Sequence, residues 1–218
     1  MNSTLEKKMT DIPGIILAGG LSQRMGGGDK GLLKLGEKSL IQRVIDKISP
    51  QVSSLAININ GDSSRFPNYE LPIIPDSIKG YLGPLSGILA GMEWAFKNEY
   101  KYIATVAADT PFLPDDFINR LYSMVIDQKL NIGIAASRIM NSDNIFRHPT
   151  FGIWEVDLKD ELRKGLSNDT RKIMSWAKKF KCDYCFFDIN NEMTDPFFNI
   201  NTPDDLEKAK YRLKKGIL

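Results

Sequence analysis

Two cations stand inside a glycine-rich stretch near the start of the chain. From Leu17 to Lys30 it reads Leu-Ala-Gly-Gly-Leu-Ser-Gln-Arg-Met-Gly-Gly-Gly-Asp-Lys, directly after the apolar run Ile12-Pro13-Gly14-Ile15-Ile16. Such a run predicts a buried strand, and the glycines beyond it let backbone N–H groups approach anionic oxygens closely. Arg24 and Lys30 supply the compensating charge. This arrangement suits the wrapping of a polyphosphate, and therefore a nucleoside triphosphate. A mobile surface loop is the plainer alternative; the strand ahead and the paired cations inside weigh against it.

Two better-known phosphate motifs do not fit. A Walker loop needs Gly-Lys followed by Ser or Thr, whereas Lys30 lies between Asp29 and Gly31. Gly26, Gly28 and Gly31 satisfy the dinucleotide spacing, but they lie well past the strand end, and no acidic residue closes a second strand at the required distance.

Other candidate groups stand at the ends of predicted strands, where open α/β sheets bind ligands. Asp109 follows the apolar run Tyr102–Ala108 and precedes Thr110-Pro111. A carboxylate there, near a triphosphate, is a natural ligand for Mg²⁺; its alternative is to cap the Pro111 turn. Asn58 and Asp76 also end short strands, and ordinary turn chemistry accounts for them equally well. Asn199 and Asn201 are two apart in an extended segment and so share one side of it. Arg147 precedes His148, the chain's one histidine, a residue type that more often serves as a structural hydrogen-bonder when alone. Cys182 and Cys185 form a C-x-x-C without a second cysteine pair, so one chain offers no four-ligand zinc site. Both are expected to be buried reduced thiols on a strand.

The elements that must carry these groups alternate. Strands are predicted at 12–16, 55–60, 71–74, 102–108, 132–136 and 182–187, with an extended segment at 148–153. Helices are predicted from Ser39 to Ile48, over 86–96, from Pro114 through Val125, over 169–180, and from a Thr202 cap to Leu213. The alternation implies an α/β domain with a mostly parallel sheet covered by helices on both faces.

The 218 residues suit one domain, and 29 basic against 27 acidic residues leave a net charge of +2. No basic block points to nucleic acid, and no run is long enough to span a bilayer. The polar residues 1–10 are expected to form a disordered extension, with 11–218 as the domain and the cytoplasm as its location.

The string from Leu17 to Lys30 resembles the signature of the molybdenum cofactor guanylyltransferases, a branch of the nucleotidyltransferases. Leu-Ala-Gly-Gly, Ser22, Arg-Met-Gly-Gly and Asp-Lys occur in the family's order and spacing. Asp109-Thr110-Pro111, Gly83-Pro84-Leu85-x-Gly87, His148-Pro149-Thr150 and Asn199-x-Asn201-Thr202-Pro203 extend the likeness over nearly the whole chain. The resemblance implies a single Rossmann-like nucleotidyltransferase domain that moves GMP from GTP to molybdenum-molybdopterin, releasing pyrophosphate. It implies Mg²⁺ on Asp109, catalytic roles for Lys30, Asp109 and Arg24, and nucleotide contacts from Leu17, Ala18, Gly19, Gly20, Lys30, Asn58, Asp76 and Asp109. Arg147, His148, Asn199 and Asn201 would border the pterin or the metal. A monomer is expected that engages neither nucleic acid nor membrane, with molybdoenzymes or other cofactor-biosynthesis proteins as further partners. Gly19-Gly20 favours guanine, since related cytidylyltransferases tend to carry Ala-Gly there. The rival readings are a nucleotidyltransferase using CTP or a sugar phosphate, and a GTP sensor or cofactor carrier without catalysis.

Overall fold

The computed structural model describes residues 11–19, 29–78, 80 and 83–217. The expectations for residues 1–10, Gly20, Arg24 and Gly26 to Gly28 lie outside the described residues. Strand β1 (Gly14–Leu17) is followed by a hairpin of β2 (Lys34–Leu35) and β3 (Lys38–Ser39), then helix α1 (Leu40–Ile48). Next come β4 (Leu55–Asn58), β5 (Ile73–Ile74), α2 (Pro84–Lys97), β6 (Tyr102–Ala107) and α3 (Phe117–Asp127). The second half contributes β7 (Ile132–Ile139), β8 (Ile145–Glu155), α4 (Lys159–Ser167), α5 (Ile173–Ala177), β9 (Cys182–Ile189) and α6 (Pro203–Lys215).

Seven strands form one sheet in the order β5-β4-β1-β6-β8-β7-β9. Every pairing is parallel except those of β8, which runs against both β6 and β7. The expected mostly parallel sheet is therefore present, with one reversed strand. Its cause is local. Residues 140–144 alone separate β7 from β8, too few for a crossover, so the chain turns back as a hairpin.

Strand residues alternate between two cores. Ile15, Ala56, Ile103 and Trp154 face the layer of α2, α4 and α5, packing on Ile88, Leu89, Leu166 and Trp176. Ile16, Ile57, Ala104 and Ile153 face α1 and α3, packing on Ile41, Val44, Phe117 and Leu121. That period of two is what burial on both faces requires of a central strand. The closing helix α6 and the β2–β3 hairpin share a smaller cluster around Leu35, Phe112, Ile200 and Ala209.

Helix limits depart from the sequence pattern in two places. Pro114 does not open α3; the helix starts at Phe117, where the Gln51 side chain accepts from Ile118 N (3.1 Å) and donates to Pro114 O (2.8 Å). A cap supplied from another element is invisible to local pattern. The helix expected over 169–180 is limited to Ile173–Ala177, because Asp169 adopts φ +62° at the end of a preceding helix, α4. The Thr202 cap holds: its hydroxyl accepts from Asp205 N (3.2 Å), and Asp205 accepts from Thr202 N (2.9 Å).

Candidate active site

The carboxyl ends of β1, β4 and β6 are flush, since Leu17 pairs with both Asn58 and Ala107. The residues that follow each strand therefore meet at one edge of the sheet. They enclose a cleft of about 220 Å³ whose walls include Leu17, Ala18, Gly19, Lys30, Asn58 and Asp109. Ligands in open α/β sheets bind beyond strand carboxyl ends for this reason.

At one end of the cleft three residues distant in sequence converge. Lys30 leads a short 3-10 turn, and its Nζ lies 3.5 Å from Asp109 Oδ2 and donates to Asn201 Oδ1. Gly31 brings that turn close to the sheet, as a methyl group there would stand 3.3 Å from Ala108 Cβ. Asp29, the neighbour of Lys30, is ion-paired with Arg65 at 3.2 Å, which anchors the turn from the segment after β4. Ile200 N donates to Asp109 O (3.1 Å) and so seats the Asn199–Asn201 segment against the same strand end.

Burial raises the Asp109 carboxyl above its ordinary range, opposed by the Lys30 charge. Its Oδ1 is buried without a hydrogen-bond partner among the described residues. An unpartnered buried carboxylate oxygen beside a cationic cleft suits a hard cation. Among the described residues no group of three or more His, Cys, Asp or Glu gathers, here or elsewhere. One carboxylate supplemented by substrate phosphates and water is how Mg²⁺ is commonly held, so the donor set fits that ion.

Asn58, in the wall of the cleft, is joined to Asp76, which stands behind Asn58 and Asn60 and is not itself among the lining residues. Asn58 Nδ2 donates to Asp76 Oδ1 (2.9 Å) and to Ile74 O (3.0 Å). Gly87 makes room for this, because a Cβ there would come within 2.4 Å of Asn58 Oδ1. Gly83 and Pro84, the N-terminus of α2, also line the cleft. Asn60, Ser86 and Thr150 were not singled out from the sequence; the first two bond to Asp76 and the third lines the cleft.

Thr150 arrives there through an irregularity in β8. Ile134 pairs with Gly152 but Ala135 pairs with His148, so Pro149, Thr150 and Phe151 bulge out of the ladder. Proline has no N–H to give a ladder, and bulges re-aim side chains beside sites. His148 itself is held by the fold on three sides. Its Nε2 bonds Ser137 Oγ (2.7 Å), lies 3.9 Å from Asp195 Oδ2, and its ring stacks on Phe197 with centroids 4.4 Å apart. Arg147 is exposed, with its guanidinium 5.5 Å from the Tyr184 ring, and is not among the residues lining the cleft.

Burial lowers the His148 pKa below its ordinary value, with Asp195 pulling the other way. The native state thus binds this proton less readily than the unfolded chain does. Its contribution is neutral at high pH and destabilising once the unfolded histidine protonates, below about pH 6.5. Urea unfolding at pH 7.5 and 5.5 should show wild type losing more stability on acidification than His148→Gln. Equal losses would remove this group from the acid sensitivity.

The C-x-x-C pair takes no part in the site. Cys185 is buried but Cys182 only half-buried, a correction to the expectation of two buried thiols. Burial pushes the Cys182 thiol up to about 11 and raises Cys185 as well, so both are protonated and poorly nucleophilic at neutral pH.

A mostly parallel sheet with a lysine–aspartate pair and an asparagine–aspartate pair at its strand ends defines a nucleotide-binding α/β enzyme of the nucleotidyltransferase class. The chain belongs to the MobA-like NTP transferase family, whose model matches residues 14–181. A molybdenum cofactor guanylyltransferase from Mesorhizobium japonicum is 42% identical over 202 residues, 91% of this chain and 94% of its own length. Another, from Rhodopseudomonas palustris, is 41% identical over 201 residues, spanning 91% of this chain and 90% of its own length. Among solved structures, molybdopterin-guanine dinucleotide biosynthesis protein A from Archaeoglobus fulgidus superposes with a TM-score of 0.71 at 25% identity, over 94% of this chain and 100% of that one.

Proposed function

We propose that the protein joins GTP to molybdenum-bound molybdopterin, forming the guanine dinucleotide cofactor. A phosphate oxygen of the pterin forms a bond to the α-phosphorus of GTP, and the bond from that phosphorus to the pyrophosphate oxygen breaks. Pyrophosphate leaves with the electron pair. The attacking phosphate is already ionised at neutral pH, so the site needs no general base. The reaction instead requires two polyanions to be brought together and the developing charge to be stabilised.

The convergence of Lys30, Asp109 and Asn201 carries this reading. Lys30 offsets charge on the phosphates, and Asn201 and Asp109 hold its ammonium in place. Arg24 adds a second cation, and the backbone of Gly26 to Gly28 holds the leaving group in line. A divalent cation, Mg²⁺ on Asp109, would neutralise phosphate charge when bound. Leu17, Ala18, Gly19 and Gly20 meet the base through backbone groups, while Asn58 and Asp76 meet the nucleoside. Arg147, His148 and Asn199 belong to the pterin side, with His148 acting by positioning Phe197 and the β8 bulge. We place the reaction in the cytoplasm and in a monomer, with molybdoenzymes or their cofactor-biosynthesis proteins as recipients. The free thiols suit a reducing compartment. No helix among the described residues is long and apolar enough to cross a membrane.

Pyrophosphate release measured with each of the four common NTPs, with and without molybdopterin, tests the proposal. Release with GTP alone among the four, dependent on the pterin, is the expected result. Release with CTP, or none with any nucleotide, would overturn it.

A further inference from the structure

Asp76 is held more fully than a contact residue needs to be. Its Oδ2 accepts from Asn60 Nδ2 (2.7 Å) and from Ser86 Oγ (2.6 Å), while its Oδ1 accepts from Asn58 Nδ2 (2.9 Å), its one partner among the described residues. Asn60 also accepts from Asp76 N (3.3 Å), so its amide and Asp76 bond reciprocally. A carboxylate has about four acceptor positions, two on each oxygen. The described partners fill both on Oδ2 and one on Oδ1.

Ser86 has a nearer use for its proton. It lies in the first turn of α2, and Gly83 O is 2.7 Å from its hydroxyl oxygen. Gly83 O already receives Ser86 N (3.1 Å), and a hydroxyl has one proton to give. The charged acceptor is the stronger one. The bond to Asp76 therefore crosses from the helix start to the loop after β5 and is not a helix cap. Ser86 is 1% exposed, so water does not replace this bond. Gly19 leaves room for the Asn60 amide, since a Cβ there would stand 2.8 Å from Asn60 Nδ2.

We infer that Ser86 and Asn60 are positioning residues for nucleoside selection: by saturating Oδ2 of Asp76 they leave its Oδ1, beside Asn58, as the open acceptor for a nucleoside hydrogen-bond donor. That donor is the 2-amino group of the base or the 2′-hydroxyl of the ribose. The inference rests on the guanylyl-transfer reading for the identity of the nucleoside.

The test compares direct titration of wild type, Ser86→Ala and Ser86→Thr with GTP, ITP and 2′-deoxy-GTP, followed by steady-state turnover. Ser86→Ala should weaken GTP binding by about tenfold, the scale of one lost bond to a charged group, with a larger rise in KM than fall in kcat. Its preference for GTP over one analogue should fall by a similar factor, and Ser86→Thr should restore both. Loss against ITP assigns the donor to the 2-amino group of the base, and loss against 2′-deoxy-GTP assigns it to the ribose. A purely structural serine would lower the melting temperature and affect all three nucleotides alike, which would overturn the inference, as would wild-type affinity and preference in Ser86→Ala. If wild type binds another nucleotide in place of GTP, the guanylyl reading fails by itself. The same variants, titrated with that nucleotide and its deoxy form, then decide the positioning role.

Discussion

Replacing Lys30 with alanine should lower turnover by roughly 10²–10³-fold, the usual cost of deleting one preorganised charge-stabilising group. The side chain is the one described cation in contact with both Asp109 and Asn201. Its loss removes positive charge from the place where charge develops on the leaving group. The fold should survive. Lys30 lies at the cleft surface and belongs to neither large core cluster. Lys30→Arg is an informative companion, because a planar guanidinium does not reproduce a compact ammonium bonded to one carboxamide. Pyrophosphate release at saturating GTP, together with a thermal melt of the same preparation, checks the expectation. A folded Lys30→Ala protein turning over near the wild-type rate would remove this residue from the mechanism.

The same convergence shows what the sequence could and could not reveal. Strand-end position was enough to single out Asn58, Asp76 and Asp109, because a parallel sheet gathers strand ends at one edge whatever its exact register. Asn60 and Ser86 escaped notice for opposite reasons. Asn60 reads as the polar end of the 55–60 strand, and a serine in the first turn of a helix ordinarily bonds its own backbone. Only the packing of α2 against the β5 loop turns that hydroxyl toward Asp76. The direction of β8 was not legible, because the pattern ends one strand at Ala136 and resumes at His148, and only the structure's longer strands reduce the gap to residues 140–144. Nor was the bulge at Pro149, since a bulge exists only relative to a partner strand. The start of α3 fails in the same way, depending on Gln51 from another element. Local pattern therefore gives elements and their order, while contacts between elements decide which polar groups finally meet.

Asp109→Asn should separate stability from function. The substitution keeps shape and removes charge from a carboxylate whose Oδ1 is buried and without a partner among the described residues. Burying an ionised oxygen without a partner costs free energy in the empty protein. The variant should therefore melt at the same temperature as wild type or about 2–4 °C higher, the shift expected for about 1 kcal/mol in a chain of this size. Activity should move the other way, falling by roughly 10²-fold or more. An amide oxygen is a much poorer ligand for a hard divalent ion than a carboxylate. Wild type should accordingly bind GTP more tightly when Mg²⁺ is added, and Asp109→Asn should lose most of that gain while retaining its metal-free affinity. A stabilised but inactive variant is the pattern of a residue kept for its chemistry at the expense of the fold. If Asp109→Asn instead melted several degrees lower, kept its turnover, and responded to Mg²⁺ as wild type does, Asp109 would be a structural residue of the strand end. The charge on the phosphates would then have to be met by Lys30 and the glycine-rich loop without it.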